Sequence, residues 1–147
     1  MIKLKDILLE GKLGDCYQAA GRLMMEWSNP SSILVHGMVN GQGSLEGKRY
    51  GHAWVEKGDI VYDYSNGKRL DLPKQVYYAM GNIKEEDNKY YKWRESLKWM
   101  VDEGHWGPWE MSGDVVMAEE IPDSHPEIGD QELRINPSEL EDIKQLI

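Results

Sequence analysis

The sequence predicts an α+β domain in which a helix packs on a small antiparallel sheet and further helices follow. Three observations lead to this fold class. An apolar stripe with helical spacing runs through residues 16–27, three strand-like segments lie within residues 33–65 with a tight turn between the last two, and helical patterns return after residue 73. Strands joined by tight turns pair antiparallel, and helices segregated from strands along the chain are typical of α+β proteins.

Size and composition indicate one globular domain. The chain has 147 residues, 40% of them hydrophobic, with 6 Trp and 8 Tyr, which is enough for a core. No apolar run approaches the roughly 20 residues that span a bilayer, and the N-terminal apolar stretch contains Asp6 and Glu10, unlike a signal peptide. A single cysteine excludes internal disulfide bonds and multi-cysteine zinc sites. We therefore expect one soluble, cytoplasmic domain that binds no membrane.

The net charge of −9 is concentrated near the C-terminus. Residues 1–100 carry 15 basic and 13 acidic side chains, whereas residues 101–147 carry 2 and 13. An acidic segment of this kind repels phosphate backbones, so nucleic-acid binding is not expected. A solvated surface explains the charge more simply than an interface for a basic partner does.

The first helix is predicted to begin at Cys16. Asp15 can cap it with a carboxylate that accepts a free N–H of the first turn, and Ala19, Leu23 and Trp27 continue the apolar stripe. The helix is expected to end before Ser28-Asn29-Pro30, because proline cannot continue the hydrogen-bond ladder.

Strands follow this helix, and the patterns beyond them are mostly helical. Branched and apolar residues predict strands over 33–39, 49–56 and 59–65, with a Gly-rich loop over 40–48. Helices are predicted over 73–82, 87–103 and from Pro137 to the C-terminus. Weaker patterns predict a short helix over 3–10, a strand over 114–120 and a loop over 121–136.

Cys16 occupies a position that favours thiol chemistry. A helix N-terminus carries a partial positive charge and unpaired N–H groups. Both stabilise a thiolate, which is the nucleophilic form of cysteine. Such a nucleophile is usually assisted by a neighbouring histidine base.

The hairpin formed by the second and third strands supplies a histidine and a carboxylate. If Lys57 and Gly58 form a two-residue turn, counting back along both strands places His52 directly opposite Asp63. A carboxylate there can fix the tautomer of the imidazole and leave its other nitrogen for the sulfur. A shift of one residue would put the pair on opposite faces. Trp54, on the same face as His52, is expected to shield their hydrogen bond from water.

The motifs that carry these residues resemble a known family. "GDCYQAA" at a helix start, "GHAWVE" on a strand and "VYDYS" on the next strand are similar to the core of the transglutaminase-like group of papain-fold cysteine enzymes. The resemblance covers residues 13–66 and implies a papain-like, transglutaminase-like fold, with residues 67–147 as a helical and acidic elaboration. It further implies Cys16 as nucleophile, His52 as base and acid, and Asp63 as the orienting carboxylate.

The activity implied by the resemblance is thiol-dependent acyl transfer on an amide or ester of a peptide or protein, without a cofactor. Hydrolysis, deamidation and amine transfer all remain open. Papain-like proteases draw an oxyanion-hole glutamine from upstream of the cysteine, but residues 1–15 contain neither Gln nor Asn. The backbone N–H of Cys16 can serve as one donor. Candidates for the second donor are Tyr17, Gln18 and Gln42.

Each of these residues also has a structural explanation. A free cysteine is usually a small buried hydrophobe, a histidine can be satisfied within a core, and an aspartate can cap a turn. The alternative to an enzyme is therefore a non-catalytic binding or structural module of the same fold with a relic triad. Zinc binding by Cys16, His36, His52 and Asp63 is disfavoured because no pair has a close ligand spacing such as H-x-x-x-H, so no metal is expected.

Two remaining features are interpreted as structural. His36 lies in mid-strand and is more simply a buried sheet residue than part of a cleft. In "GHWGPWE", residues 104–110, two tryptophans flank Gly-Pro. We expect a rigid turn whose indoles close the core rather than an aromatic wall beside a substrate.

Overall fold

The computed structural model describes residues 15–41, 47–110 and 133–147. The predicted helix over 3–10, the predicted strand over 114–120 and Gln42 lie outside the described residues, as do most of the loops predicted over 40–48 and 121–136. Within the described ranges, no helix is long and apolar enough to cross a membrane.

The described residues form four α-helices and five β-strands. The helices are α1 (Cys16–Trp27), α2 (Lys74–Gly81), α3 (Trp93–Glu103) and α4 (Pro137–Leu146). The strands are β1 (Ile33–Asn40), β2 (Arg49–Lys57), β3 (Ile60–Asp63), β4 (Leu70–Pro73) and β5 (Lys89–Lys92). All pairings are antiparallel, in the order β4-β3-β2-β1-β5. The predicted α+β class with a small antiparallel sheet is confirmed.

The single helix predicted over 87–103 is wrong in its first part. Lys89–Lys92 form β5 on the outer edge of β1, and α3 begins only at Trp93. Tyr90 lies within the predicted helix, but its side chain is exposed and that of its neighbour Tyr91 is buried, as in a strand with alternating faces. The free edge of β1 offers backbone hydrogen bonds that outweigh the local helical preference of this segment.

The register of the β2–β3 hairpin differs from the prediction. Lys57 pairs with Ile60, so the two turn residues are Gly58 and Asp59 rather than Lys57 and Gly58. Gly58 has a φ of 61°, a left-handed conformation that a glycine adopts without strain at the first turn position. Moving the turn by one residue moves every pairing partner by two, which preserves the faces of both strands.

Helices cover both faces of the sheet. On one face, α1, α3 and α4 enclose a core whose strand side chains are Leu34, Ala53, Val55 and Tyr91. On the other face, α2 packs over a second cluster that contains Val35, Val39, Trp54, Val61 and Tyr77. Because β4, β5 and α2 all follow residue 66, the later part of the chain completes the sheet as well as adding helices.

The start of α1 lies where β3 leaves the sheet. After Asp63 the chain turns through the 3₁₀ segment Ser65–Gly67, and the backbone N–H of Asn66 donates to Asp15 Oδ1 at 2.8 Å. The prediction that the Asp15 carboxylate caps α1 is therefore wrong, because the turn after β3 provides a competing N–H. This contact instead ties the N-terminus of α1, and with it Cys16, to the end of β3.

Candidate active site

His52 and Asp63 form a buried hydrogen-bonded pair. His52 Nε2 lies 2.9 Å from Asp63 Oδ2. In the observed register the two residues are diagonal neighbours on one face of the hairpin rather than directly opposed, and side chains of this size reach across that diagonal. The predicted direct opposition is wrong, but the predicted common face and the side-chain contact are present.

Asp63 accepts hydrogen bonds at both carboxylate oxygens. The Tyr77 hydroxyl donates to Oδ2 at 2.6 Å, while the backbone N–H and the hydroxyl of Ser65 donate to Oδ1 at 3.0 and 2.5 Å. Burial alone would raise the pKa of Asp63, but the His52 imidazolium and these donors outweigh burial and hold the pKa well below its usual value. The carboxylate is therefore an ionised and fixed partner for the histidine.

Cys16 lies within the electrostatic reach of the imidazole. It is the first residue of α1, is 4% exposed, and contributes to the raised pKa of His52. Because Nε2 already faces Asp63, Nδ1 is the ring nitrogen left for the sulfur. The N-terminal end of the helix adds its own partial positive charge at the same point.

The charges around His52 favour its protonated form. Burial lowers the pKa of His52, but Cys16 and Asp63 act in the opposite direction, and the pKa lies well above its usual value of 6.5. An imidazolium between a sulfur and a carboxylate can stabilise a thiolate on one side while the other side holds its orientation. The arrangement has the components of an activated cysteine nucleophile.

Trp54 and a buried carboxylate form one wall of the site. The Trp54 ring centroid lies 6.2 Å from that of His52 and 5.4 Å from that of Tyr77, and Trp54 itself is fully buried. Its Nε1 donates to Glu56 Oε2 at 2.9 Å, and the Tyr78 hydroxyl donates to the same oxygen. Glu56 therefore fixes the indole beside the pair.

The other sequence-predicted residues lie in different environments. Tyr17 is fully buried and packs edge-on against His36 with ring centroids 4.9 Å apart, on the sheet face opposite His52. Gln18 lies in the first turn of α1 and is half-buried. His36 is fully buried between aromatic rings, so its interpretation as a sheet histidine agrees with its position.

Three residues of the site were not anticipated from the sequence. Ser65 follows Asp63 by two residues. At this spacing an aspartate carboxylate often accepts a hydrogen bond from the backbone N–H, so this contact could have been predicted. Tyr50 precedes His52 by two residues on the same strand face, with ring centroids 6.0 Å apart. Tyr77 comes from α2, and no local pattern links it to Asp63.

The Trp-rich segment packs against the core. Trp106 is fully buried, and Trp109 stacks on Trp99 with ring centroids 5.8 Å apart and an interplanar angle of 11°. This placement agrees with the prediction that its indoles close the core. Among the residues that the structure describes, no group of three or more His, Cys, Asp and Glu side chains is arranged to hold a metal ion.

Comparison with known proteins gave no match. No protein-family model matches the chain, and no significant match was found among curated proteins or among solved structures.

Proposed function

We propose that this protein is a thiol-dependent acyl-transfer enzyme with a papain-like, transglutaminase-like fold. The observation that carries the proposal is the hydrogen-bonded pair His52–Asp63 on adjacent strands, with Cys16 at a helix N-terminus near enough to influence the pKa of His52. The ordered motifs of residues 13–66 support the same family. The predicted substrate is an amide or ester of a peptide or protein.

In the first half of the reaction, Cys16 is acylated. The thiolate attacks the carbonyl carbon of the substrate, and the carbonyl π electrons move to oxygen, which becomes an oxyanion. As the carbonyl re-forms, the bond to the leaving amine or alcohol breaks and His52 gives that group its proton. Asp63 holds the imidazole in place and remains ionised throughout.

In the second half, the acyl group leaves the sulfur. Water or an amine attacks the thioester while neutral His52 takes up its proton. The carbon–sulfur bond then breaks, which releases a carboxylic acid or a new amide and restores the thiolate beside the imidazolium. Hydrolysis, deamidation and amine transfer use the same residues and differ only in the leaving group and the second nucleophile.

The burial of the site favours substrates with a narrow acyl group. Cys16 is 4% exposed and His52 is 8% exposed, so only a slender chain can approach the sulfur without movement of the surrounding side chains. An extended peptide segment or a carboxamide side chain has this shape. The same burial is the observation that favours the second candidate, a non-catalytic module with a relic triad.

Acylation by p-nitrophenyl acetate separates the two candidates. Because the chain contains one cysteine, release of nitrophenolate with an acetyl group on a Cys16 peptide reports on this thiol alone. The proposed enzyme should be acylated at least tenfold faster than N-acetylcysteine at about pH 6, where an ordinary thiol is mostly protonated. Acylation no faster than that of N-acetylcysteine would refute the catalytic proposal and favour the non-catalytic module.

A matched pair of variants assigns the rate to the triad. His52→Ala should slow acylation by at least tenfold, because the charge that stabilises the thiolate is lost. Asp71→Asn, an exposed carboxylate on β4, should leave the rate unchanged. Equal rates for the His52 variant and the unmodified chain would contradict the assigned role of His52.

A further inference from the structure

The triad leaves the developing oxyanion with a single donor from α1. The backbone N–H of Cys16 belongs to the first turn of the helix, where N–H groups have no partner within the helix. Oxyanion sites generally use two donors, and losing one slows acyl transfer substantially. Tyr17, which the sequence offered as a candidate for the second donor, packs into the core on the sheet face opposite His52.

We propose that the Tyr50 hydroxyl is the second oxyanion donor of this site. Tyr50 and His52 lie two residues apart on the same face of β2, and their rings meet edge-on at 90° with centroids 6.0 Å apart. The inference rests on the proposed acyl transfer at Cys16. It adds a catalytic residue that the Cys-His-Asp pattern does not contain.

The electrostatic surroundings of the Tyr50 hydroxyl point to the sulfur. Burial raises the pKa of Tyr50, the charge on His52 lowers it, and the charges on Cys16 and Asp63 raise it again, so the pKa is raised overall. Tyr50 therefore remains a protonated donor and lies within the field of all three triad residues. Together with the ring contact to His52, this places the phenol beside the group that assists the sulfur.

The two phenols at the site differ in their hydrogen bonds. Tyr77 already donates to Asp63. Tyr50 has no hydrogen bond to another side chain or carbonyl among the described residues. Tyr50 is also less deeply buried than Cys16 or His52. The hydrogen bonds thus distinguish Tyr77, which positions Asp63, from Tyr50, whose hydroxyl we assign to the oxyanion.

Two reagents with different transition states test the role of Tyr50. Acylation by p-nitrophenyl acetate forms an oxyanion, whereas alkylation by iodoacetamide displaces iodide at a saturated carbon and forms none. Tyr50→Phe should slow acylation of Cys16 by about 10- to 100-fold, because one oxyanion donor is lost. Its alkylation rate should stay within about twofold of the unmodified chain, because the thiolate and its partners are intact.

Tyr90→Phe is the matched control, since this exposed hydroxyl contacts Asn88 and Tyr78 rather than the triad. It should change neither rate. If Tyr50→Phe leaves acylation unchanged, or slows acylation and alkylation equally, Tyr50 is not an oxyanion donor. If the unmodified chain is acylated no faster than N-acetylcysteine, the proposed function itself fails, and the role of Tyr50 fails with it.

Discussion

Tyr77 donates a 2.6 Å hydrogen bond to Asp63 Oδ2, the same oxygen that faces His52 Nε2. Tyr77 belongs to α2, which lies outside residues 13–66, the segment whose motifs carry the proposed triad. A residue 14 positions beyond Asp63 therefore holds the orienting carboxylate in place. The later part of the chain is in this way connected to the candidate active site.

Tyr77→Phe should reduce the stability of the fold measurably. The change removes a hydrogen bond to a buried carboxylate, which typically contributes about 1.5–3 kcal/mol to the free energy of unfolding. Urea unfolding at neutral pH measures the loss, and Tyr90→Phe provides a control with an exposed phenol. Equal unfolding free energies for the two variants would show that the Tyr77–Asp63 bond contributes no specific stability.

His36 should make the protein sensitive to mild acid. Burial, with a smaller contribution from the charge on His105, lowers the pKa of His36 to about 3, and neither ring nitrogen has a hydrogen-bond partner among the residues that the structure describes. In the unfolded chain this histidine takes up a proton below about pH 6.5. The unfolded state therefore binds more protons between about pH 3 and 6.5, and acidification through this window lowers the free energy of unfolding by up to about 1.4 kcal/mol per pH unit.

His36→Leu should remove this part of the pH dependence. Leucine has a similar size and no polar atom, so stability at pH 7 should change little or rise. The free energy of unfolding, followed by urea titration between about pH 4.5 and 6.5, should fall less steeply than in the unmodified chain. His52 does not contribute to the slope in this pH range. Because its pKa is raised in the folded state, its stabilisation of the fold is fully present below about pH 6.5 and is lost only as the pH rises further. An unchanged slope in the variant would contradict the buried, neutral state of His36.

Gly37→Ala should disturb the wall of the active site. Gly37 pairs with His52 across β1 and β2, and a Cβ atom there would lie 2.7 Å from the Trp54 ring and would clash with Asn88 Oδ1. Overpacking of this kind costs about 1–3 kcal/mol, and it should also change the fluorescence of Trp54. Gly81→Ala, where the nearest atom would be 3.1 Å away on a side chain, is the control. A fully stable Gly37 variant with unchanged fluorescence would show that the indole does not depend on this glycine.

Local patterns predicted the elements that carry the triad. Side chains alternate between the faces of a strand, and this alternation placed His52 and Asp63 on one face of the hairpin. The prediction of a common face remained correct although the turn was misplaced, because the misplaced turn changed the register by two residues. The helix start at Cys16, the helix end before Gly104 and the start of α4 at Pro137 also follow from neighbouring residues alone. Such features depend on interactions within a few positions of the chain.

Long-range competition explains what the sequence did not predict. β5 forms because β1 has a free edge, and nothing within Lys89–Lys92 reveals that edge. Asp15 bonds to Asn66 rather than to its own helix because the turn after β3 lies beside it. Tyr77 reaches Asp63 only after α2 has packed on the sheet. Each of these contacts depends on the completed topology, which single-sequence periodicity does not contain.

The protonation state of His52 tests the central claim that Cys16, His52 and Asp63 act as one charged unit. Ring nitrogen NMR shifts, assigned with His52→Ala, report whether the imidazole carries one proton or two. We predict a doubly protonated His52 at about pH 7.5, where an ordinary histidine is mostly neutral, and a lower pKa of His52 in Cys16→Ser, which removes the sulfur. A His52 that is neutral at that pH, or that titrates identically with and without the sulfur, would contradict the account.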